Sequence, residues 1–148
     1  MSDTSPAETA ERLSRRRARM MPVLAIFLFI QQAAFFTHSD LMRTVDMVRT
    51  AGWLLFSVAV LAALLGGGWW FRPRRVRELM EDEVTRANRA SALSGGFAVA
   101  MFAGILLYAA DSFAPGPINL RDGIHLIVSA GLATALLRFG LLERRALG

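Results

Sequence analysis

Four long apolar runs, divided by arginine-bearing links, constrain this chain more than any other feature. They cover Met20–Thr37, Ala51–Phe71, Ser91–Ala110 and Gly123–Leu142, each close to the ~20 residues that carry a helix across a bilayer core. Together they take up more than half of the 148 residues, which leaves little chain for a separate soluble domain. The expected fold is all-α: a polytopic membrane protein built as an antiparallel four-helix transmembrane bundle. Its membrane domain is expected over residues 20–148, with spans at about 20–38, 51–71, 91–111 and 123–143, after a disordered, basic, cytoplasmic N-terminus at residues 1–19. Composition agrees, because 54% of the residues are hydrophobic and a water-soluble domain of this size needs more polar surface.

Charge sets the expected orientation. The formal net charge is +5, and all seventeen basic residues are arginine. Thirteen of them fall on the N-terminal flank, the second link and the C-terminus, against three on the first and third links. Basic residues are retained on the cytoplasmic side, so both termini are expected inside a plasma or bacterial inner membrane, with His38–Thr50 and Asp111–Asp122 outside. Arginines placed this way flank apolar helices, which excludes a nucleic-acid partner and makes the lipid bilayer the first partner.

Local signals refine the plan. Pro22 suits the first turn of span one, where its missing N–H has no partner to lose. Met42, Val45 and Val48 are spaced as a short interfacial helix or an extension of span two. Trp53 and the pair Trp69 and Trp70 are expected at the two interfaces of that span, ~24 Å apart at 1.5 Å per residue. Pro73 breaks the helix before a link, Arg72–Ala90, whose charges alternate at i,i+3 and i,i+4. That link is expected to be a solvated face running into span three. Asp122 is placed to cap span four. A shift of seventy residues aligns Glu8 with Glu78, Arg16 with Arg86 and Phe27 with Phe97, a weak sign of two duplicated hairpins.

Polar groups inside the spans are the candidate chemistry, because hydrocarbon penalises them unless they find partners. Gln31 and His38 lie two helical turns apart on one face of span one. His125 and Ser129 share a face of span four with Asp122, and Asp40 and Asp111 lie at the same level. Facing His38 and His125 suit the axial positions of a haem; His with Asp suits a divalent metal or proton exchange with a quinone. The plainer expectation keeps both histidines at helix ends, bonded to water or headgroups. Gln31 and Gln32 are suited to interhelical hydrogen bonds worth about 1 kcal/mol, and Arg138 is long enough to snorkel to the inner interface. Gly96, Ala100 and Gly104 form a small-residue ridge for helix packing, within one chain or between chains.

The chain has no cysteine, which excludes disulfides, Fe–S clusters and thiolate catalysis. It carries no phosphate loop, no HExxH and no dinucleotide fingerprint. Its size and span count resemble those of small multidrug-resistance exporters. The membrane-embedded carboxylate of that family's first span has no counterpart, since no Asp or Glu lies between Glu11 and Asp40. The leading functional expectation is a non-enzymatic accessory, assembly or interaction subunit that packs with itself or with a membrane-protein partner. The alternatives are a haem- or metal-binding electron-transfer protein using His38 and His125, and a small-solute transporter with Gln31 and Gln32 at the midplane.

Overall fold

The computed structural model describes residues 5–37, 43–66, 82–113 and 119–147. Within them the chain forms four helices: α1 (Pro6–Thr37), α2 (Arg43–Gly66), α3 (Glu83–Phe113) and α4 (Leu120–Ala146). Three stretches are long and apolar enough to cross a membrane, Met47–Gly66 of α2, all of α3 and all of α4. The remaining apolar run forms the C-terminal part of α1. The protein is thus an all-α, multi-pass helical bundle of the membrane type.

The helices begin earlier than the apolar runs because polar residues cap them. At α1, Ser5 Oγ accepts from Glu8 N while Glu8 Oε2 accepts from Ser5 N, both at 3.2 Å. This is a reciprocal capping box, with Pro6 in the first helical position. From that start the helix continues without interruption, so residues 6–19 are ordered helix and not the disordered tail expected from their polarity. Ala10, Leu13, Arg17 and Ala18 form a buried stripe on this extension, and packing of that stripe outweighs the low hydrophobicity of the segment. Pro22 therefore lies deep inside α1 and not in a first turn. At α3, Asp82 Oδ1 accepts from Thr85 N at 2.7 Å. At α4 the cap is Asn119, whose Oδ1 accepts from Asp122 N at 3.0 Å. Asp122 is thus a first-turn acid that suits the positive end of the helix dipole, and the capping role expected of it belongs to Asn119. Helix α2 includes the 43–50 segment as its first two turns.

Helix α4 is the hub. It runs antiparallel to α1, as Gln32 meets His125 and Arg17 meets Glu143. It also runs antiparallel to α3, where Leu107 approaches Gly123 and Ser91 meets Arg138. It runs parallel to α2, with Arg121 donating to Thr50 and Trp53 to Ser129. Being covered on several sides, α4 buries ten residues, from His125 to Glu143. The core draws Ala25 and Leu28 from α1, Val60 and Leu64 from α2, Ala92 from α3, and Leu132, Ala133, Ala135, Leu136 and Phe139 from α4.

The closest packing joins α3 to α4. A Cβ on Gly96 would stand 2.5 Å from Gly131 O and 2.8 Å from Ala135 Cβ, and one on Gly131 would stand 3.0 Å from Ala100 Cβ. Glycines at this crossing let two backbones approach, which replaces the hydrophobic drive that lipid does not supply. Gly96 and Ala100 thus serve contacts within the chain. Gly104 touches only Ile127 Cδ1, at an ordinary 3.6 Å. The two halves of the chain do not repeat one packing arrangement: α3 lies close along α4, whereas α1 packs on α4 in preference to α2.

The outer faces are apolar. Val23, Ile26, Phe29 and Ile30 of α1, Leu55 and Val58 of α2, and Phe97, Phe102 and Ile105 of α3 are all more than half exposed. Such a belt is a liability in water and the expected surface in hydrocarbon.

Candidate functional site

Two buried polar clusters stand at opposite ends of the bundle. The first joins the end of α1, the start of α2 and the start of α4. His125, on the face of α4 that Ser129 shares, is buried and stacks on Trp53, with ring centroids 3.9 Å apart and planes at 22°. Its Nδ1 lies 2.7 Å from Gln32 Oε1. With an amide oxygen facing it, Nδ1 is the protonated ring nitrogen and donates. Trp53 Nε1 donates to Ser129 Oγ at 3.3 Å. Trp53 is therefore packed against α4, because its one donor finds an acceptor there and its ring finds an imidazole to cover.

Beside this cluster is a cavity of about 240 Å³ lined by Gln31, Ala34, Arg49, Trp53 and His125. Gln31 Oε1 is buried and has no hydrogen-bond partner among the described residues, and the same holds for Gln32 Nε2 and for Ser57 Oγ, one turn below Trp53. A buried amide group without a partner costs about 1–3 kcal/mol. Of these groups, Gln31 Oε1 belongs to a residue that lines the cavity.

The second cluster joins α1, α3 and α4 at the other end. Arg17 Nη2 donates to Glu143 Oε2 at 2.5 Å, and both side chains are 4% exposed. Arg17 Nη2 also reaches Thr85 Oγ1 at 3.4 Å, and Asn88 Nδ2 donates to Glu143 Oε1 at 3.3 Å. The Arg17 guanidinium lies 5.3 Å from the centre of the Phe139 ring, within cation–π range. Both carboxylate oxygens of Glu143 are thus bonded, one from α1 and one from α3, which ties three helices at a single residue.

The residues singled out from the sequence fall in different places. Gln31, Gln32, His125 and Ser129 come together at the first cluster. His38 and Asp40 lie outside the described residues, so no approach of His38 to His125 is described. Asp111 is exposed near the end of α3. Arg138 is exposed, passes over Gly95 and donates to Ser91 Oγ at 3.0 Å. Among the described residues no three His, Asp or Glu side chains gather as a metal site would require.

Sequence reasoning missed the Arg17–Glu143 pair and the inward role of Trp53. A signal existed for the first. Glu143 is the one acid after Asp122, and it sits near the end of a helix, where the dipole disfavours negative charge. Such a residue calls for a cation, and Arg17 lies in register on the buried stripe with Ala10 and Leu13. For Trp53 no local signal shows that its ring packs against α4.

Fold and clusters together define a multi-pass helical membrane protein with a cavity beside Gln31 and His125 at one end of the bundle and a buried ion pair at the other. No family model matches the chain, and no curated protein or solved structure is similar enough to be counted a relative.

Proposed function

We propose that this is a small plasma- or inner-membrane protein, with both termini cytoplasmic, that binds a small polar solute in the outer half of its bundle and passes it across the membrane. The observation that carries the reading is Gln31: its amide oxygen is buried without a partner in a residue that lines the 240 Å³ cavity. An acceptor held this way selects a ligand with N–H or O–H donors. Arg49 adds a positive charge to the same wall, and the stacked Trp53 and His125 rings add a rigid flat face. The volume suits a molecule below the usual drug-sized range.

The arginine distribution supports the orientation, since the ends bearing Arg17 and Arg144 are the arginine-rich ones. In that orientation the cavity faces the outer side and the Arg17–Glu143 pair lies across the inner end, as in a bundle open outward and closed inward. The interaction-subunit reading drew on the Gly96–Ala100 ridge. Helix α4 packs against Gly96 and Ala100 of that ridge, whereas Gly104 makes only an ordinary contact with Ile127.

Flux into liposomes tests the proposal. Purified protein is reconstituted and offered radiolabelled amino acids, small amides and small hydroxy acids. The expected result is saturable uptake of one class, reduced at least tenfold by Gln31→Leu. Uptake no greater than in empty liposomes across the panel overturns the reading.

A further inference from the structure

We propose that the seam between α1 and α4 at the arginine-rich end is a binding site for the phosphate headgroup of an anionic phospholipid. A groove of about 450 Å³ opens there, lined by Arg15, Ala18, Arg19, Arg144 and Leu147. Among the described residues its charge is not balanced by acids. Glu11 pairs with Arg15 at 2.8 Å, and Glu143 is turned inward to Arg17. Among the described residues neither Arg19 nor Arg144 is ion-paired, so the groove presents two guanidinium groups at one opening. Arg144 is also fixed in place, because its Nε donates to Ala18 O at 3.3 Å. A guanidinium anchored by one edge loses little freedom on binding and matches phosphate geometry with the other.

A second feature selects a lipid over free phosphate. Arg19 immediately precedes the first apolar run, and Val23, Ile26 and Ile30 follow it at helical spacing on the same face of α1. These three are exposed at 53%, 56% and 60%. The face thus reads basic at the level of the groove and apolar below it, which is the order of headgroup and acyl chain. Basic pockets between transmembrane helices on the cytoplasmic side have this character toward anionic lipids.

The test uses the full-length protein in detergent, with native mass spectrometry and the thermal midpoint as readouts. Cardiolipin, phosphatidylglycerol, phosphatidylcholine and inorganic phosphate are added separately. Cardiolipin and phosphatidylglycerol are expected to stay bound and to raise the midpoint, while phosphatidylcholine and millimolar phosphate do neither. Arg19→Gln, which leaves the Arg144–Ala18 and Arg17–Glu143 contacts in place, should weaken the anionic-lipid effect about fivefold, the share of one arginine near an anionic surface. Arg12→Gln, on the exposed surface of α1 outside the groove, should not change it. Equal binding of phosphatidylcholine overturns the proposal, as does an Arg19→Gln protein that responds like the parent. Protection by inorganic phosphate alone, equal to that by lipid, assigns the groove to a soluble phosphate and also overturns it.

Discussion

Arg144 Nε donates to the backbone oxygen of Ala18, and Ala18 is the residue four places before Pro22. Proline has no N–H, so Ala18 O is the one carbonyl of this stretch that its own helix cannot serve. Helix α4 supplies the missing donor from Arg144 and makes room for the ring with Gly140, where a Cβ would stand 3.0 Å from Pro22 Cδ. A proline in the middle of a 32-residue helix is thus accommodated by two residues of a neighbour four places apart.

This arrangement predicts coupling between Pro22 and Arg144. Arg144→Met should destabilise the protein by about 1 kcal/mol, the value of an interhelical hydrogen bond. In a Pro22→Ala background, where residue 22 regains its N–H, the same change should cost markedly less. Thermal midpoints of the four proteins of the cycle measure the difference; strictly additive effects would sink the account.

The Arg17–Glu143 pair should be more damaging to break than to replace. Removing one partner leaves a buried charge unanswered, so Arg17→Met or Glu143→Leu alone should cost about 3–5 kcal/mol. The double variant should recover a large part of that loss. Equilibrium unfolding in detergent, or the fraction of monodisperse protein after heating, reads the outcome.

Glycines of the α3–α4 crossing should not be equivalent. Gly96→Ala places a methyl group against the backbone of Gly131 and should destabilise by about 1–3 kcal/mol. Gly104→Ala meets only the end of Ile127 and should be neutral or stabilising. Gly52→Ala, with no atom near its Cβ position, should gain up to about 1 kcal/mol from better helix propensity.

At the other cluster, Gln32→Leu removes the acceptor for His125 Nδ1 and should cost about 1–3 kcal/mol, as expected when a buried donor is left alone. Trp53→Phe keeps an aromatic face on the imidazole but loses the bond to Ser129, at about 1 kcal/mol. The order, Gln32→Leu worse than Trp53→Phe, is checked by thermal midpoint.

Because the chain has no cysteine, single cysteines report topology directly. Ser112→Cys, exposed at the end of α3, should react with an impermeant maleimide on intact cells. Ser5→Cys, exposed at the start of α1, should react only after permeabilisation. Labelling in the reverse order would invert the bundle in the membrane.

Some of this was legible in the residues alone. The helices follow from apolar runs of membrane-spanning length, and Gly96 with Ala100 marked a packing ridge by spacing. Gln31, Gln32, His125 and Ser129 stood out because polar groups in hydrocarbon need partners. The helix starts were harder to read. Ser5 and Asn119 extend α1 and α4 beyond their apolar runs through side-chain hydrogen bonds, and a hydropathy pattern carries no record of those bonds.

The sequence by itself determined that lipid surrounds the chain and that polar side chains inside it must answer one another, since both follow from local composition and the energetics of hydrocarbon. Only the tertiary structure decided which side chains meet. Helix rotation and neighbour order brought Trp53 onto His125, Arg17 onto Glu143 and Arg144 onto the carbonyl that Pro22 leaves bare. Those quantities are set by the shapes of the packed helix faces, and a one-dimensional pattern of apolar and charged residues does not fix them.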